Sequence, residues 1–183
     1  MMTAMPDPVT LADLAALVAD RKLPPVDDWH PAHCGDSLMR IAADGTWFHE
    51  GNPIRRPELV RLFASILRRE ADGSVVLVTP GEKLDIAVDD APFVAVAVTS
   101  EGEGPARRLG FTLNTDDHVL AGPEHRLRVD TAADGSPRPY LHVRRGLEAL
   151  VNRATFYSLA DWALAEDADP PGLWSDGMFF PFG

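Results

Sequence analysis

Apolar positions along the chain follow two periods, and each change of period marks an element boundary. Thr10 followed by Leu11, Leu14, Ala15 and Val18 predicts a helix, with Thr10 as N-cap and Asp13 in the favourable first turn. Pro24 and Pro25 stop it, and residues 27–36 read as a loop. Residues 37–41 are expected to be extended, with Asp44-Gly45 as a turn and residues 46–49 returning as a second strand. After the break at Gly51-Asn52-Pro53, Pro57 opens the clearest helix. Leu59, Leu62, Phe63, Ile66 and Leu67 share one face of it, Glu58, Arg61, Ser65 and Arg68 lie away, and Asp72-Gly73 is its expected end.

From there the period is two. Residues 75–79 form a β-branched run, and Leu84, Ile86 and Val88 alternate with Asp85, Ala87 and Asp89 as in a half-buried strand. Asp90-Ala91-Pro92 reads as a junction. Residues 93–99 and 107–113 predict a hairpin around Gly102 and Gly104, with Leu109, Phe111 and Leu113 on one face. Strand is also expected at 119–120, and at 126–129 and 138–144 around Asp134-Gly135. A last helical region is predicted over 147–165, its apolar phase slipping near Asn152. The tail from Leu173-Trp174 to Phe182 is apolar enough to require something to dock on.

A near-repeat runs through these elements. Ala42-Ala43-Asp44-Gly45-Thr46 recurs as Ala132-Ala133-Asp134-Gly135-Ser136, and Arg55-Arg56 recurs as Arg144-Arg145, at offsets of 90 and 89. Each Arg pair follows a predicted hairpin and precedes a helical pattern. The pattern therefore predicts an α+β protein of two related α+β halves with a duplicated hairpin–helix core. The expected division is an N-terminal helix and linker at 1–28, a first half at 29–90, and a second half at 91–183 carrying the aromatic tail. A cleft between such halves would be a favoured place for a ligand.

Composition narrows the classes. The net charge is −11 with pI near 4.8, which argues against broad electrostatic binding of DNA. A local basic pocket for a small anion remains compatible with it. Cys34 is the single cysteine, so no intrachain disulfide forms. No signal peptide is evident over residues 1–8, and no apolar run is long enough for a membrane helix. A cytoplasmic location is the resulting expectation.

Catalytic motifs are sparse. Gly35-Asp36-Ser37-Leu38 spells the opening of the GDSL hydrolases, but no histidine follows His142 and no Asp-x-x-His supplies a base. His30, His33, Cys34 and Asp36 crowd one segment, although a zinc site would want a second group of ligands. Neither a P-loop nor a G-x-G-x-x-G occurs, and no cofactor is expected. Arginine grips phosphate or carboxylate through two parallel hydrogen bonds. Arg55, Arg56, Arg144 and Arg145 are therefore the candidate anion ligands, with Lys83 and Arg153 extending the patch. Trp47, Phe93 and Tyr140 are candidates to stack on a base.

The stretch from Trp29 through Cys34-Gly35-Asp36-Ser37-Leu38-Met39-Arg40-Ile41, then Asp44-Gly45-Thr46-Trp47-Phe48 and Pro53-Ile54-Arg55-Arg56, resembles DUF1285, a bacterial family of unknown function. Leu77-Val78-Thr79-Pro80, Glu82-Lys83, Ala91-Pro92-Phe93 and Gly146-Leu147-Glu148-Ala149-Leu150 fit it too, over residues 29–182. The resemblance implies a duplicated α+β core whose second half is superficially like pleckstrin-homology domains. It also implies a site between the halves for a nucleotide- or nucleic-acid-like ligand, and a role in signalling or stress. The family brings no catalytic residues to carry over. The expected function is thus a non-enzymatic regulatory protein that binds an anionic, nucleotide-like ligand. A protein-interaction module using the tail or a sheet edge is the first alternative, and a metal-dependent enzyme the second.

Overall fold

The computed structural model describes residues 23–183, and the helix expected over residues 10–18 lies outside them. The chain forms two compact units. The first holds the described residues up to Ala42 together with Thr46–Asp89, and the second holds Ala43–Gly45 and Asp90–Gly183.

The first unit contains strands β1 (His33–Ile41), β2 (Trp47–His49), β3 (Asn52–Pro53), β4 (Leu67–Arg69), β5 (Val75–Val78) and β6 (Lys83–Val88). Helix α1 (Pro57–Ser65) lies between β3 and β4. The sheet order is β3-β2-β1-β6-β5-β4. Two antiparallel meanders, β1-β2-β3 and β4-β5-β6, thus meet along the parallel pair β1/β6. A parallel pair cannot be joined by a tight turn. Here everything from β2 to β5 is the crossover. Ile41, Trp47, Leu67 and Val78 are almost wholly buried and form the centre of this unit's core.

The second unit repeats the plan. Its strands are β7 (Phe93–Glu101), β8 (Arg108–Leu113), β9 (His118–Leu120), β10 (Leu127–Thr131), β11 (Pro137–Arg144) and β12 (Leu147–Val151). Their order, β10-β11-β12-β7-β8-β9, is again two antiparallel meanders joined by a parallel pair, β12/β7. Helix α2 (Arg153–Glu166) follows the sixth strand, whereas α1 follows the third strand of its unit. The tail folds as a hairpin of β13 (Gly172–Ser175) and β14 (Met178–Pro181). Leu173 and Phe180 are buried, so the tail docks within its own unit. Ser175 fastens it, accepting from Leu109 N at 2.9 Å and donating to Ala121 O at 2.7 Å.

The duplication is real, but its register differs from the 90-residue near-repeat. Ala42–Thr46 joins the first and second strands of its unit, while Ala132–Ser136 joins the fourth and fifth. The true counterpart of Ala132-Ala133-Asp134-Gly135-Ser136 is Glu70-Ala71-Asp72-Gly73-Ser74, which joins β4 to β5. All three turns close with the first residue's N–H on the fifth residue's carbonyl, at 2.8 Å each. Their glycines have φ of +90°, +88° and +82°, a region that excludes most side chains. The shared letters in the 90-residue pair therefore record turn chemistry, in which Asp ties the chain and Gly turns left-handed.

Three expected boundaries also move. Residues 147–151 are strand β12, with Leu147, Ala149 and Val151 buried and Glu148 and Leu150 half-buried. The slip at Asn152 is the switch to helix, where the Asn152 side chain accepts from Thr155 N at 2.9 Å as N-cap of α2. Helix α1 stops at Ser65, whose buried hydroxyl donates back to Leu62 O at 2.6 Å and competes with the next turn. Leu67 then enters the sheet. Lastly, the expected loop over 27–36 yields to a single 3-10 turn, Val26–Asp28, and to the start of β1 at His33.

Candidate anion-binding residues

In the first unit, Arg55 and Arg56 occupy the link from β3 to α1 and are both exposed. Arg56 is the extended N-cap residue, its carbonyl accepting from Leu59 N at 3.1 Å and Val60 N at 3.3 Å. Pro57 suits the first turn because no helical partner awaits its missing N–H. Among the described residues, neither guanidinium has a hydrogen-bond or ion-pair partner.

Lys83 is differently placed. Its Nζ lies 3.4 Å from Glu70 Oε1, which also receives Arg68 Nη2 at 2.9 Å. Arg68 anchors this group by donating to the carbonyls of Val26 and Trp29, at 2.8 and 2.6 Å. The Arg68 hydrogen bond, with the charges of Arg68 and Lys83, holds the Glu70 carboxyl below the usual range against the opposing effect of burial. Lys83 is thus neutralised within a structural network. Trp47 is only 1% exposed and stacks on Phe63 with ring centroids 6.4 Å apart, so its ring is core.

In the second unit, Phe93 is fully buried, and the Arg144 guanidinium covers its ring at 5.1 Å. Burial pushes the Arg144 guanidinium below its ordinary range; the Asp117 charge opposes this and the Arg145 charge adds to it. Arg144 remains a cation, yet one held against the protein. Tyr140 is buried, with Arg128 over its ring at 4.5 Å and its hydroxyl donating to Asp90 Oδ1 at 2.6 Å. Burial, followed by that hydrogen bond, pushes the Tyr140 phenol up. Arg128 in turn makes two parallel bonds of 2.9 Å to Glu148 and also pairs with Asp130, while Arg138 pairs with Asp90. None of the three aromatic rings therefore offers a free face to a base. That corrects the stacking expectation for Trp47, Phe93 and Tyr140.

Arg145 and Arg153 are exposed. Arg153 is the first residue of α2. Arg145 does not precede a helix, contrary to the sequence pattern; with Gly146 it forms the two-residue turn between β11 and β12, at φ of +49° and +79°. Such a turn favours Asn or Gly at its first position. Arg145→Asn is accordingly expected to raise stability by about 1 kcal/mol, read as a higher urea midpoint at unchanged slope.

The segment carrying His33, Cys34 and Asp36 lies on β1. Between Asp36 and Arg40 this strand bulges against β6, and Leu38 takes φ of +59° and is 55% exposed. Ser37 Oγ donates to the backbone carbonyl of Asp85 at 2.7 Å rather than to a base, and His33 Nε2 lies 3.0 Å from Asp85 Oδ2. Among the described residues, no three His, Cys, Asp or Glu side chains converge in a way that could hold a metal ion. Sequence reasoning did not single out the His142 ring, which bonds two backbone groups at once, or the buried Arg107. No spacing signal marks either residue.

Two domains that share one sheet topology, each with one α-helix among the described residues, define a duplicated α+β protein. Family models for the N-terminal and C-terminal domains of DUF1285, a domain of unknown function, match residues 24–91 and 92–182, and the chain belongs to that family. It is similar to the crystal structure of a DUF1285 family protein from Silicibacter pomeroyi DSS-3, with 49% identity, a TM-score of 0.83 and 94% of each chain covered. A DUF1285 family protein from Shewanella baltica OS155 is 28% identical with a TM-score of 0.53, over 68% of this chain and 91% of that one. No curated protein matches the chain.

Proposed function

We propose that this protein is a non-enzymatic regulatory protein that binds an anionic, nucleotide-like ligand, with Arg55 and Arg56 as the phosphate grip. The observation that supports this is the pair of adjacent exposed guanidiniums at the start of α1, uncommitted among the described residues in a chain of net charge −11. Most of the other candidate side chains are engaged by their own unit. Arginine forks and the first N–H groups of a helix act on the same oxyanions. A signalling or stress-response role is part of the same proposal.

The test is titration of the purified protein with ATP, a cyclic dinucleotide and an oligothymidylate, followed by thermal shift and calorimetry. Arg55→Glu/Arg56→Glu should weaken binding at least about tenfold, since each charged hydrogen bond contributes about 1.5–3 kcal/mol, with thermal stability unchanged. Equal affinity in the double variant would remove the two arginines from the site. A panel without any shift would favour a second reading, a protein-interaction module. That reading is supported by an open groove of about 520 Å³ in the second unit, lined by Val129, Phe156, Ala160, Leu164 and Phe182. Leu164 is 74% exposed beside it.

A further inference from the structure

We propose that His142 is a pH-sensitive latch on the turn that presents Arg145. The His142 ring lies 3.0 Å through Nδ1 from the carbonyl oxygen of Glu124, and Nε2 accepts from Gly146 N–H at 3.0 Å. A carbonyl oxygen only accepts and a backbone N–H only donates. Both bonds therefore require one form of the ring, neutral with its proton on Nδ1. An added proton can go only to Nε2. There it turns the acceptor into a donor and sets two N–H groups against each other across the Gly146 contact.

The consequence falls on the β11–β12 turn. Gly146 follows Arg145, whose φ of +49° persists only while its surroundings hold it. The strand already departs from regular pairing there, with a register shift between His142 and Arg144. Loss of the Gly146 bond in acid loosens the turn, and regaining it at neutral pH closes the turn.

The groups facing the ring come from three elements. From the segment before β10 come Glu124, Arg126, whose carbonyl accepts from His142 N at 2.9 Å, and His125, whose ring stacks on His142 at 6.1 Å. Glu148 stands opposite on β12, already bonded twice by Arg128, and the end of β11 and the turn after it carry Arg144 and Arg145. His125 places Nδ1 3.1 Å from the His142 carbonyl and can take a proton on Nε2 without losing that bond. It is not the latch. The proposal concerns the turn alone and does not depend on a ligand.

The experiment is NMR on the full chain from about pH 8 to about pH 5, following the ring nitrogens of His142 and the exchange protection of the Gly146 amide, corrected for intrinsic exchange. The expected result is an Nδ1–H tautomer at the upper end and a fall in Gly146 protection of about five- to tenfold as the ring titrates. In His142→Gln the protection should be flat with pH. An Nε2–H tautomer at the upper end, or protection that holds while the ring titrates, would overturn the proposal, as would a ring that takes no proton in this range. The wild-type tautomer decides the matter alone if the glutamine variant does not fold.

Discussion

Replacing Arg107 by methionine is expected to lower the stability of the second unit by about 2–3 kcal/mol. The Arg107 side chain is 9% exposed, and it donates to Ser100 Oγ and to Glu166 Oε1, each at 2.5 Å. It also covers the Trp162 ring at 5.8 Å. These bonds tie the start of β8 to the last residue of α2. Methionine preserves much of the packing but removes both donors, leaving Glu166 beside a buried apolar stem. The figure lies below the upper range for a broken buried pair for two reasons. The Glu166 side chain is 26% exposed and keeps a second bond from Gly104 N at 3.1 Å, and Arg107 Nε is already buried without a partner among the described residues. Urea unfolding, followed by hydrogen exchange across β8 and α2, measures the loss; a change within about 0.5 kcal/mol would mean that the pair adds nothing. Acid provides a second readout. The Arg107 hydrogen bond, then that of Gly104 N–H, holds the Glu166 carboxyl below the usual range. A carboxyl with a lowered folded-state value contributes stability above its unfolded value and loses it as pH falls through the folded one. The acid sensitivity of the second unit should therefore shrink in Arg107→Met, and a part should survive through Gly104.

Features encoded locally were legible in the sequence. Asp44-Gly45 and Asp134-Gly135 read as turns because an Asp side chain that bonds two residues ahead and a Gly that accepts positive φ act within five residues. Alternation at Leu109, Phe111 and Leu113 was equally plain, and all three are fully buried. Residues 147–151 misled because Leu147, Leu150 and Val151 fall at i, i+3 and i+4, which satisfies a helical face as well as a short strand. The parallel pairing of β12 with β7 that decides the matter is a contact across more than fifty residues. The 90-residue offset pairs the wrong turns, since Ala42–Thr46 and the true counterpart Glu70–Ser74 each share four of five letters with Ala132–Ser136 and the letters alone do not choose between them. Among the candidate ligands, arginine chemistry identified residue types but not their commitments. Nothing in the sequence distinguishes the exposed Arg56 from Arg144 pressed onto Phe93, because that difference arises only when the sheet assembles.

The same ambiguity gives Trp47 its diagnostic value, and Trp47→Ala is expected to cost about 3–5 kcal/mol. Sequence alone allowed Trp47 to be a stacking platform for a base, a role that requires an accessible face. At 1% exposure, beside buried Ile41, its cross-strand partner at the end of β1, and stacked on Phe63 of α1, it is a central core side chain of the first unit. Removing it leaves a cavity that β1, β2 and α1 cannot all close onto, so the penalty includes lost packing as well as lost burial. Trp47→Phe should cost far less, because the ring contact with Phe63 persists and the buried Nε1–H, which has no partner among the described residues, disappears. Hydrogen exchange should show β1, β2 and α1 losing protection together in Trp47→Ala, while β7, β8 and α2 serve as the internal reference. A ligand-stacking tryptophan predicts the opposite pattern, unchanged protection with weakened nucleotide binding. That outcome would require the ring to leave the core it fills here.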